Sequence, residues 1–203
     1  MSQQAMKQSL RQSIIAARQK LMAAERTQFS QVISKYIMQL DSYRQAQTVL
    51  AYMSFGAEFE TEAWVRQALQ DGKQVWLPRV NSSTKQLDLY HIRDLQLDLV
   101  PGKWEIPEPR VDRCDRMEGL GEIDFILLPG VAFARDGSRL GYGGGFYDKL
   151  LERIEKVGRD NPPSLVAAAF SMQLVEDIPQ EATDRKVEWL LTENEVIKCS
   201  ANI

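Results

Sequence analysis

Five of the chain's twelve glycines lie between Gly137 and Gly145, in the sequence Gly-Ser-Arg-Leu-Gly-Tyr-Gly-Gly-Gly. Glycine lacks a Cβ, so a glycine-rich segment lets backbone N–H groups approach a ligand closely. Apolar periodicity from Phe146 predicts a helix directly after it, and a helix N-terminus attracts anions. Arg139 adds a guanidinium that suits phosphate charge, while Asp148 suits either Mg²⁺ or the helix dipole. The stretch therefore predicts a site for a phosphate-bearing ligand.

The stretch matches neither of the two standard phosphate-binding fingerprints. Counting from Gly141, the third glycine of G-x-G-x-x-G would fall on Phe146, and no Gly-Lys pair in the chain is followed by Ser or Thr. A purely structural interpretation also stays open, in which Asp136 and Gly137 form a turn and the remaining glycines form a flexible connection.

Composition argues against several other kinds of site. His91 is the only histidine, and Cys114 and Cys199 lack metal-ligand spacing, which disfavours a zinc site and a histidine-based triad. The net charge of −3 and the pI near 5.4 give no general attraction to nucleic acid or acidic membranes. No run approaches the roughly 18 apolar residues of a membrane span. We expect a cytoplasmic protein that binds neither nucleic acid nor a membrane.

Apolar periodicity predicts alternating helices and strands. Helices are expected near 6–22, 29–40, 61–70 and 146–157, with buried strands at 48–53, 74–77, 124–129, 165–170 and 187–192. The pattern also predicts a turn at 81–84, a strand at 87–92 and an ordered proline-containing loop at 101–109. Thr61 is expected to be the N-cap of its helix. Lys7, Arg11 and Arg18 share one face of the first helix, and the first two, taken alone, predict a solvated surface.

Alternation of strands and helices favours an α/β fold. We predict a mostly parallel sheet with helices on both faces, in a Rossmann-like three-layer architecture. With 203 residues, the chain is expected to form a single domain. Ligands of such sheets bind beyond the carboxyl ends of the strands. The order of strand 124–129, glycine stretch and helix 146–157 predicts that the glycines lie at that end.

Five sequence elements together resemble one known family. The segments 127–133 and 136–148 closely resemble the signature of 5-formyltetrahydrofolate cyclo-ligases, also called 5,10-methenyltetrahydrofolate synthetases. Four further elements are similar to family motifs in the same order: Lys7-Gln8-Ser9-Leu10-Arg11, Met53 with Glu58-Phe59-Glu60-Thr61, Trp104-Glu105-Ile106-Pro107-Glu108-Pro109 and Asp184-Arg185-Lys186-Val187-Glu188. Two positions depart from the family pattern: Phe146 stands where tyrosine is frequent, and Thr183 where many bacterial members have histidine.

The resemblance implies an enzyme that cyclises 5-formyltetrahydrofolate to 5,10-methenyltetrahydrofolate with ATP and Mg²⁺, through a phosphorylated formyl oxygen, releasing ADP and phosphate. It implies catalytic roles for Arg139 and Lys7. The implied ATP contacts are Lys7, Arg11, Arg139, Leu140, Gly141, Tyr142, Gly143, Gly144, Gly145, Phe146 and Tyr147. The implied folate contacts are Met53, Glu58, Trp104, Tyr142, Gly143, Gly144, Gly145 and Phe146, and the implied metal ligands are Asp148 and Asp184. We expect a monomer whose partner is the small-molecule folate.

The residue types alone leave other interpretations open. Glu58 also suits a surface carboxylate, Trp104 a buried loop anchor, and Tyr142 and Phe146 packing within the loop. At the level of function, the glycine stretch would also suit a sugar-phosphate isomerase on a related α/β fold. A non-catalytic nucleotide-binding protein is the third hypothesis.

Overall fold

Short, fully apolar strands alternate with amphipathic helices along the chain, as the periodicity predicts. The computed structural model describes residues 2–102, 105–181 and 183–199. The helices are α1 (Gln3–Arg18), α2 (Ala23–Gln39), α3 (Asp41–Gln45), α4 (Thr61–Gln70) and α5 (Phe146–Glu155). The strands are β1 (Thr48–Leu50), β2 (Gln74–Asn81), β3 (Gln86–Ile92), β4 (Leu99–Pro101), β5 (Pro107–Pro109), β6 (Phe125–Leu128), β7 (Ala132–Ala134), β8 (Arg139–Leu140), β9 (Ser164–Ala168), β10 (Leu174–Val175), β11 (Trp189–Leu191) and β12 (Val196–Lys198).

The main sheet contains seven strands within the described ranges, in the order β12-β11-β9-β6-β1-β2-β3. Its five inner strands are parallel, and the two edge strands, β3 and β12, run antiparallel to their neighbours. In the centre, Val49 pairs with Val75 on one side and with Phe125 on the other. The prediction of a mostly parallel sheet is confirmed.

Side chains of the central strands enter two separate hydrophobic clusters. Val49 of β1 packs in the cluster that contains Ile33 of α2 and Trp64 of α4. The next residue, Leu50, packs in the other cluster, together with Leu150 of α5. Successive side chains of a strand point to opposite faces, so helices cover both faces of the sheet. The three-layer α/β architecture is thereby confirmed.

A second, smaller sheet holds α1 in place. It has the order β10-β7-β8 and lies where the chain leaves β6. Ile14 of α1 packs in a third cluster with Ala132 of β7, Leu140 of β8 and Ile178. This packing places the N-terminal helix beside the glycine stretch. Among the described helices, none is both long enough and apolar enough to cross a membrane.

Three local predictions are wrong. Thr61 is the first residue of α4 rather than its N-cap, which is Glu60, because the Thr61 hydroxyl instead accepts a hydrogen bond from the N–H of Ser54 at 2.9 Å. The predicted loop at 101–109 contains the end of β4 and all of β5, which pair antiparallel. Arg139 lies in β8, so it belongs to a hairpin and not to the glycine loop itself.

Candidate active site

A cavity of about 960 Å³ opens at the carboxyl ends of β1, β2 and β6. The predicted site residues that line it are Lys7, Arg11, Met53, Glu58, Arg139, Leu140, Gly141, Tyr142, Gly143, Gly144, Gly145, Phe146, Tyr147, Asp148 and Asp184. Trp104, the remaining predicted site residue, lies outside the described residues. Segments separated by more than a hundred residues in sequence therefore meet at one cavity, at the end of the sheet where such folds bind ligands.

The segment 141–145 forms a loop directly before α5. Gly145 precedes the first residue of α5 and has a φ of +63°, a left-handed conformation that favours glycine. The N–H groups of residues 143–148 donate no hydrogen bond to any other described residue. Free N–H groups at the positive end of a helix dipole form an anion site. The geometry therefore fits the predicted phosphate cradle.

Lys7 is buried in the wall of the cavity, and the solvated helix face predicted for it is wrong. Its ammonium donates hydrogen bonds to Asp184 Oδ2 at 2.8 Å and to Glu181 Oε1 at 3.0 Å. Burial lowers the pKa of Lys7, but these two carboxylates outweigh the effect and leave the pKa above its ordinary value. Lys7 is therefore a fixed positive charge, and it ties α1 to the C-terminal part of the chain.

Arg139 forms the second buried ion pair. Its Nη2 donates to Asp148 Oδ1 at 2.7 Å and its Nη1 donates to the carbonyl of Pro129 at 3.2 Å. Its side chain is 4% exposed, against 25% for that of Asp148. The Nε atom of Arg139 is buried and has no hydrogen-bond partner among the described residues. This guanidinium therefore has donor capacity that the described residues do not use.

Arg11 supports the glycine loop from α1. Its Nε donates a hydrogen bond to the carbonyl of Gly141 at 2.7 Å. The guanidinium also lies against Gly143, where an added Cβ would be 3.5 Å from Cζ of Arg11. Arg11 therefore holds the loop and also brings a positive charge to the cavity wall.

Asp148 and Asp184, the predicted metal ligands, lie in the same cavity wall as Arg139 and Lys7. No described residue donates a hydrogen bond to Oδ2 of Asp148 or Oδ1 of Asp184, so each carboxylate keeps one oxygen available. The hydrogen bond from Lys7 helps hold the pKa of Asp184 below its ordinary value, against the opposing effect of burial. Within the described ranges no three acidic, histidine or cysteine side chains form a ready metal cluster. Two carboxylates suit Mg²⁺, because it commonly takes one or two carboxylates together with substrate phosphates.

Met53, Glu58 and Phe146 also line the cavity. Glu58 is 4% exposed, so the alternative of a surface carboxylate is wrong. Its Oε1 accepts a hydrogen bond from the Tyr142 hydroxyl and its Oε2 accepts one from the N–H of Phe55 at 3.0 Å. Burial raises the pKa of Glu58, although both hydrogen bonds oppose that rise. Met53 and Phe146 thus contribute apolar surface to the cavity, and Glu58 contributes a buried hydrogen-bond acceptor.

Several residues of the site were not predicted from the sequence. Tyr52 and Glu181 line the cavity, and Phe55 lies against the Tyr142 ring with a centroid distance of 5.3 Å. Arg18 donates a hydrogen bond to the Tyr142 hydroxyl from outside the cavity. A signal for Arg18 was present, since it shares a helix face with Lys7 and Arg11, but no local pattern pointed to the other three.

The chain was compared with families and proteins already known. Residues 3–193 match the model of the 5-formyltetrahydrofolate cyclo-ligase family. A 5-formyltetrahydrofolate cyclo-ligase of Haemophilus influenzae is 31% identical over 88% of this chain and 92% of its own length. A mitochondrial 5-formyltetrahydrofolate cyclo-ligase of Arabidopsis thaliana is 30% identical over 85% of this chain and 68% of its own length. The solved 5,10-methenyltetrahydrofolate synthetase of Aquifex aeolicus is 29% identical with a TM-score of 0.80, covering 97% of this chain and 94% of that one.

Proposed function

The chain belongs to the 5-formyltetrahydrofolate cyclo-ligase family and is a ligase of folate one-carbon metabolism, and we propose that its cavity converts 5-formyltetrahydrofolate to 5,10-methenyltetrahydrofolate with ATP and Mg²⁺. The observation that carries the proposal is that two chemically different sets of residues line one cavity. One set combines the backbone N–H groups of the glycine loop with Lys7 and Arg139, and the other combines apolar side chains with Glu58. The first suits a polyphosphate and the second a folate ring.

The reaction needs both ligands side by side because a formyl oxygen is a poor leaving group. In the proposed sequence the formyl oxygen attacks the γ-phosphorus of ATP, and the bond from that phosphorus to the bridging oxygen breaks to release ADP. N10 then attacks the activated carbon, its proton is lost, and phosphate departs with the former formyl oxygen. The methenyl bridge remains, so every atom of the transferred phosphoryl group leaves as inorganic phosphate.

Arg139 and Lys7 supply positive charge where the phosphoryl group would carry negative charge. Phosphoryl transfer depends mainly on positioning and on electrostatic stabilisation by fixed donors. Both side chains are held by carboxylates and buried, with exposed fractions of 8% for Lys7 and 4% for Arg139, so they need little reorganisation when a ligand enters. The N–H groups of the glycine loop add neutral donors at the same wall.

Asp148 and Asp184 would hold Mg²⁺ through their available oxygens. The ion, when bound, would neutralise phosphate charge and orient the phosphate chain. Six of the described residues that line the cavity are acidic and five are cationic. The protein's own charges therefore do not offset those of a nucleoside triphosphate, which supports a requirement for a divalent cation.

We propose that Met53, Phe146 and Tyr142 enclose the folate and that Glu58 accepts hydrogen bonds from its ring. All four residues line the cavity, and the Tyr142 hydroxyl contacts the Glu58 carboxylate directly. A ring with an edge of N–H donors would pair with this carboxylate while its faces contact the apolar groups. The contact predicted for Trp104 remains part of this proposal.

One assay tests the proposed function. Protein, ATP, Mg²⁺ and 5-formyltetrahydrofolate are mixed, and the methenyl chromophore and ADP are followed together. We expect both products in equal amounts, with neither formed when ATP or Mg²⁺ is omitted. Folded protein that forms neither product in the complete mixture would refute the proposal. ADP without the chromophore would indicate a nucleotide hydrolase instead.

Three further properties are proposed on the same basis. The chain is expected to act as one domain over residues 1–203, as a monomer and in the cytoplasm. The mitochondrial relative in Arabidopsis shows that members of the family occupy more than one compartment. Fractionation of the source cells and analytical ultracentrifugation test location and oligomeric state. The family match favours the ligase over the isomerase and the non-catalytic nucleotide-binding protein.

A further inference from the structure

Three side chains from distant parts of the sequence form a hydrogen-bonded network at the edge of the cavity. Arg18, the last residue of α1, donates from Nη2 to the hydroxyl of Tyr142 at 2.6 Å. The Tyr142 hydroxyl donates in turn to Oε1 of Glu58 at 2.5 Å. These two hydrogen bonds connect α1, the glycine loop and the segment that precedes α4.

Arg18 and Glu58 are buried charges that are linked by hydrogen bonds through the Tyr142 hydroxyl. Each is 4% exposed. The ion pairs found within the described residues include neither side chain, and the Nε atom of Arg18 has no hydrogen-bond partner there. Burying two separated charges is costly, and replacing such groups by apolar residues is often neutral or stabilising. Stability alone therefore does not account for this arrangement.

The direction of the two hydrogen bonds determines how Arg18 and Tyr142 act on the Glu58 carboxyl group. Arginine is only a donor, so the Tyr142 oxygen must accept from Arg18, and the single hydroxyl proton is left for Glu58. The second carboxyl oxygen of Glu58 accepts from the fixed N–H of Phe55. Both oxygens are thus fixed in place by donors, and the carboxyl group is held as an acceptor that faces the cavity.

We propose that Arg18 is a positioning residue that, through the Tyr142 hydroxyl, fixes the Glu58 carboxylate as the acceptor for the N–H donors of the bound folate ring. This inference rests on the proposed function, since it concerns the folate wall of the same cavity. Arg18 does not line the cavity, whereas Tyr142 and Glu58 do. Its effect on the ligand is therefore indirect and requires the tyrosine hydroxyl.

The test is a double-mutant cycle with Arg18→Met and Tyr142→Phe. The first removes the guanidinium and keeps an apolar stem, and the second removes only the hydroxyl and keeps the ring against Phe55. The Kd for 5-formyltetrahydrofolate is measured by calorimetry without ATP, and the KM values for folate and ATP and the kcat are measured with both substrates. We expect each substitution to raise the folate Kd and KM by about tenfold or more, because each removes a hydrogen bond to a charged group. Because Arg18 lies outside the cavity, the ATP KM and the kcat of Arg18→Met should stay within about twofold of wild type.

The double variant separates positioning from a general effect on the fold. If Arg18 acts through the tyrosine, Arg18→Met in the Tyr142→Phe background should weaken folate binding no further. Additive losses would overturn the proposal, and so would wild-type affinity in either single variant. Arg18→Lys keeps a hydrogen-bond donor, so it should bind folate more tightly than Arg18→Met. If Arg18→Met does not fold, Arg18→Lys takes its place in the cycle.

Arg26→Met is the matched control. Arg26 is also a partly buried arginine, with its Nη1 donating to the carbonyl of Leu21 and its Nε without a partner among the described residues. We expect Arg26→Met to lower stability without changing the folate Kd, and an equal loss of affinity in this variant would overturn the proposal. Wild-type protein that yields no methenyl product refutes the proposed function instead, so the two failures are distinguishable.

Discussion

The phosphate wall is the part of the cavity, formed by Lys7, Arg139, Asp148 and Asp184, that we propose binds phosphate. Replacing Arg139 by methionine removes the guanidinium from this wall and keeps an unbranched apolar side chain. The wild-type group donates to Asp148 and to the carbonyl of Pro129. The Arg139 side chain is 4% exposed, so bulk water does not readily replace the guanidinium in the variant. The variant therefore tests the charge itself, with limited disturbance of packing.

The expected effect on turnover is larger than the effect on folding. Loss of one preorganised donor from a site of developing negative charge costs about 10² to 10³ in kcat, or about 2.7 to 4 kcal/mol. For folding, two hydrogen bonds of the charged guanidinium are lost, one of them to a carboxylate, which sets a gross cost of about 3 to 6 kcal/mol. Two effects reduce this cost: Asp148 is 25% exposed and regains water, and the guanidinium no longer has to be desolvated. We expect a net loss of unfolding free energy of about 1 to 2 kcal/mol.

The assay combines initial rates of methenyl formation with urea denaturation of the same preparations. Arg135→Met is the control, because Arg135 lies four positions earlier and pairs with Glu195 at the surface, with exposed fractions of 64% and 40%. An exposed pair of this kind contributes little, so the control should keep its turnover and its stability. Folded Arg139→Met protein with turnover within about tenfold of wild type would refute the assigned role.

The remaining predictions concern Lys7, a hairpin glycine and a buried aspartate. Lys7→Met should lower kcat by about 10² to 10³, and a loss below about tenfold in folded protein would contradict its role. Gly137→Ala should lower the unfolding free energy in urea by more than about 2 kcal/mol, because φ is +89° and an added Cβ would lie 2.3 Å from a backbone oxygen. Gly119→Ala, with open space and a φ of −115°, should change stability by less than about 0.5 kcal/mol, and equal losses would contradict the steric argument. Burial raises the pKa of Asp98, but hydrogen bonds from two backbone N–H groups and an arginine outweigh this and hold the pKa below 3.8. Its stabilising contribution should be complete above pH 3.8 and should disappear as the pH falls through the lower folded value. Asp98→Asn should flatten this acid limb of the stability curve, and an unchanged slope would contradict the assignment.

The sequence was most informative where local periodicity decides the structure. The apolar run at 124–129 predicted β6, and the pattern from Phe146 predicted the first residue of α5 correctly. A buried strand and an amphipathic helix each carry their own pattern of apolar residues, so neighbouring positions suffice. The hairpin of β7 and β8 was not predicted, although the Asp136-Gly137 turn was raised as a structural alternative. Strands of two or three residues are too short to show a period.

The candidate site depended on contacts that no local pattern contains. Lys7 has the sequence surroundings of a solvated helix face, and it is buried because its partner Asp184 lies 177 residues further along the chain. Similarly, Glu58 resembles an ordinary acidic residue before a helix until Tyr142 and Arg18 are placed beside it. Only the family resemblance predicted that these segments share a site, because a resemblance carries information about the whole fold.

The two ion pairs of the phosphate wall explain why this cavity should bind ATP and Mg²⁺ together. Without a ligand, Arg139 pairs with Asp148, and Lys7 pairs with both Asp184 and Glu181. Phosphates bound beside these two fixed cations would compete with the partly buried aspartates for their positive charge, at a cost to the aspartates. A divalent cation on Asp148 and Asp184 removes this cost, since it takes over the charge that Lys7 and Arg139 give up to the phosphates. The same aspartates that hold the cations in place without a ligand would thus couple the binding of nucleotide and metal.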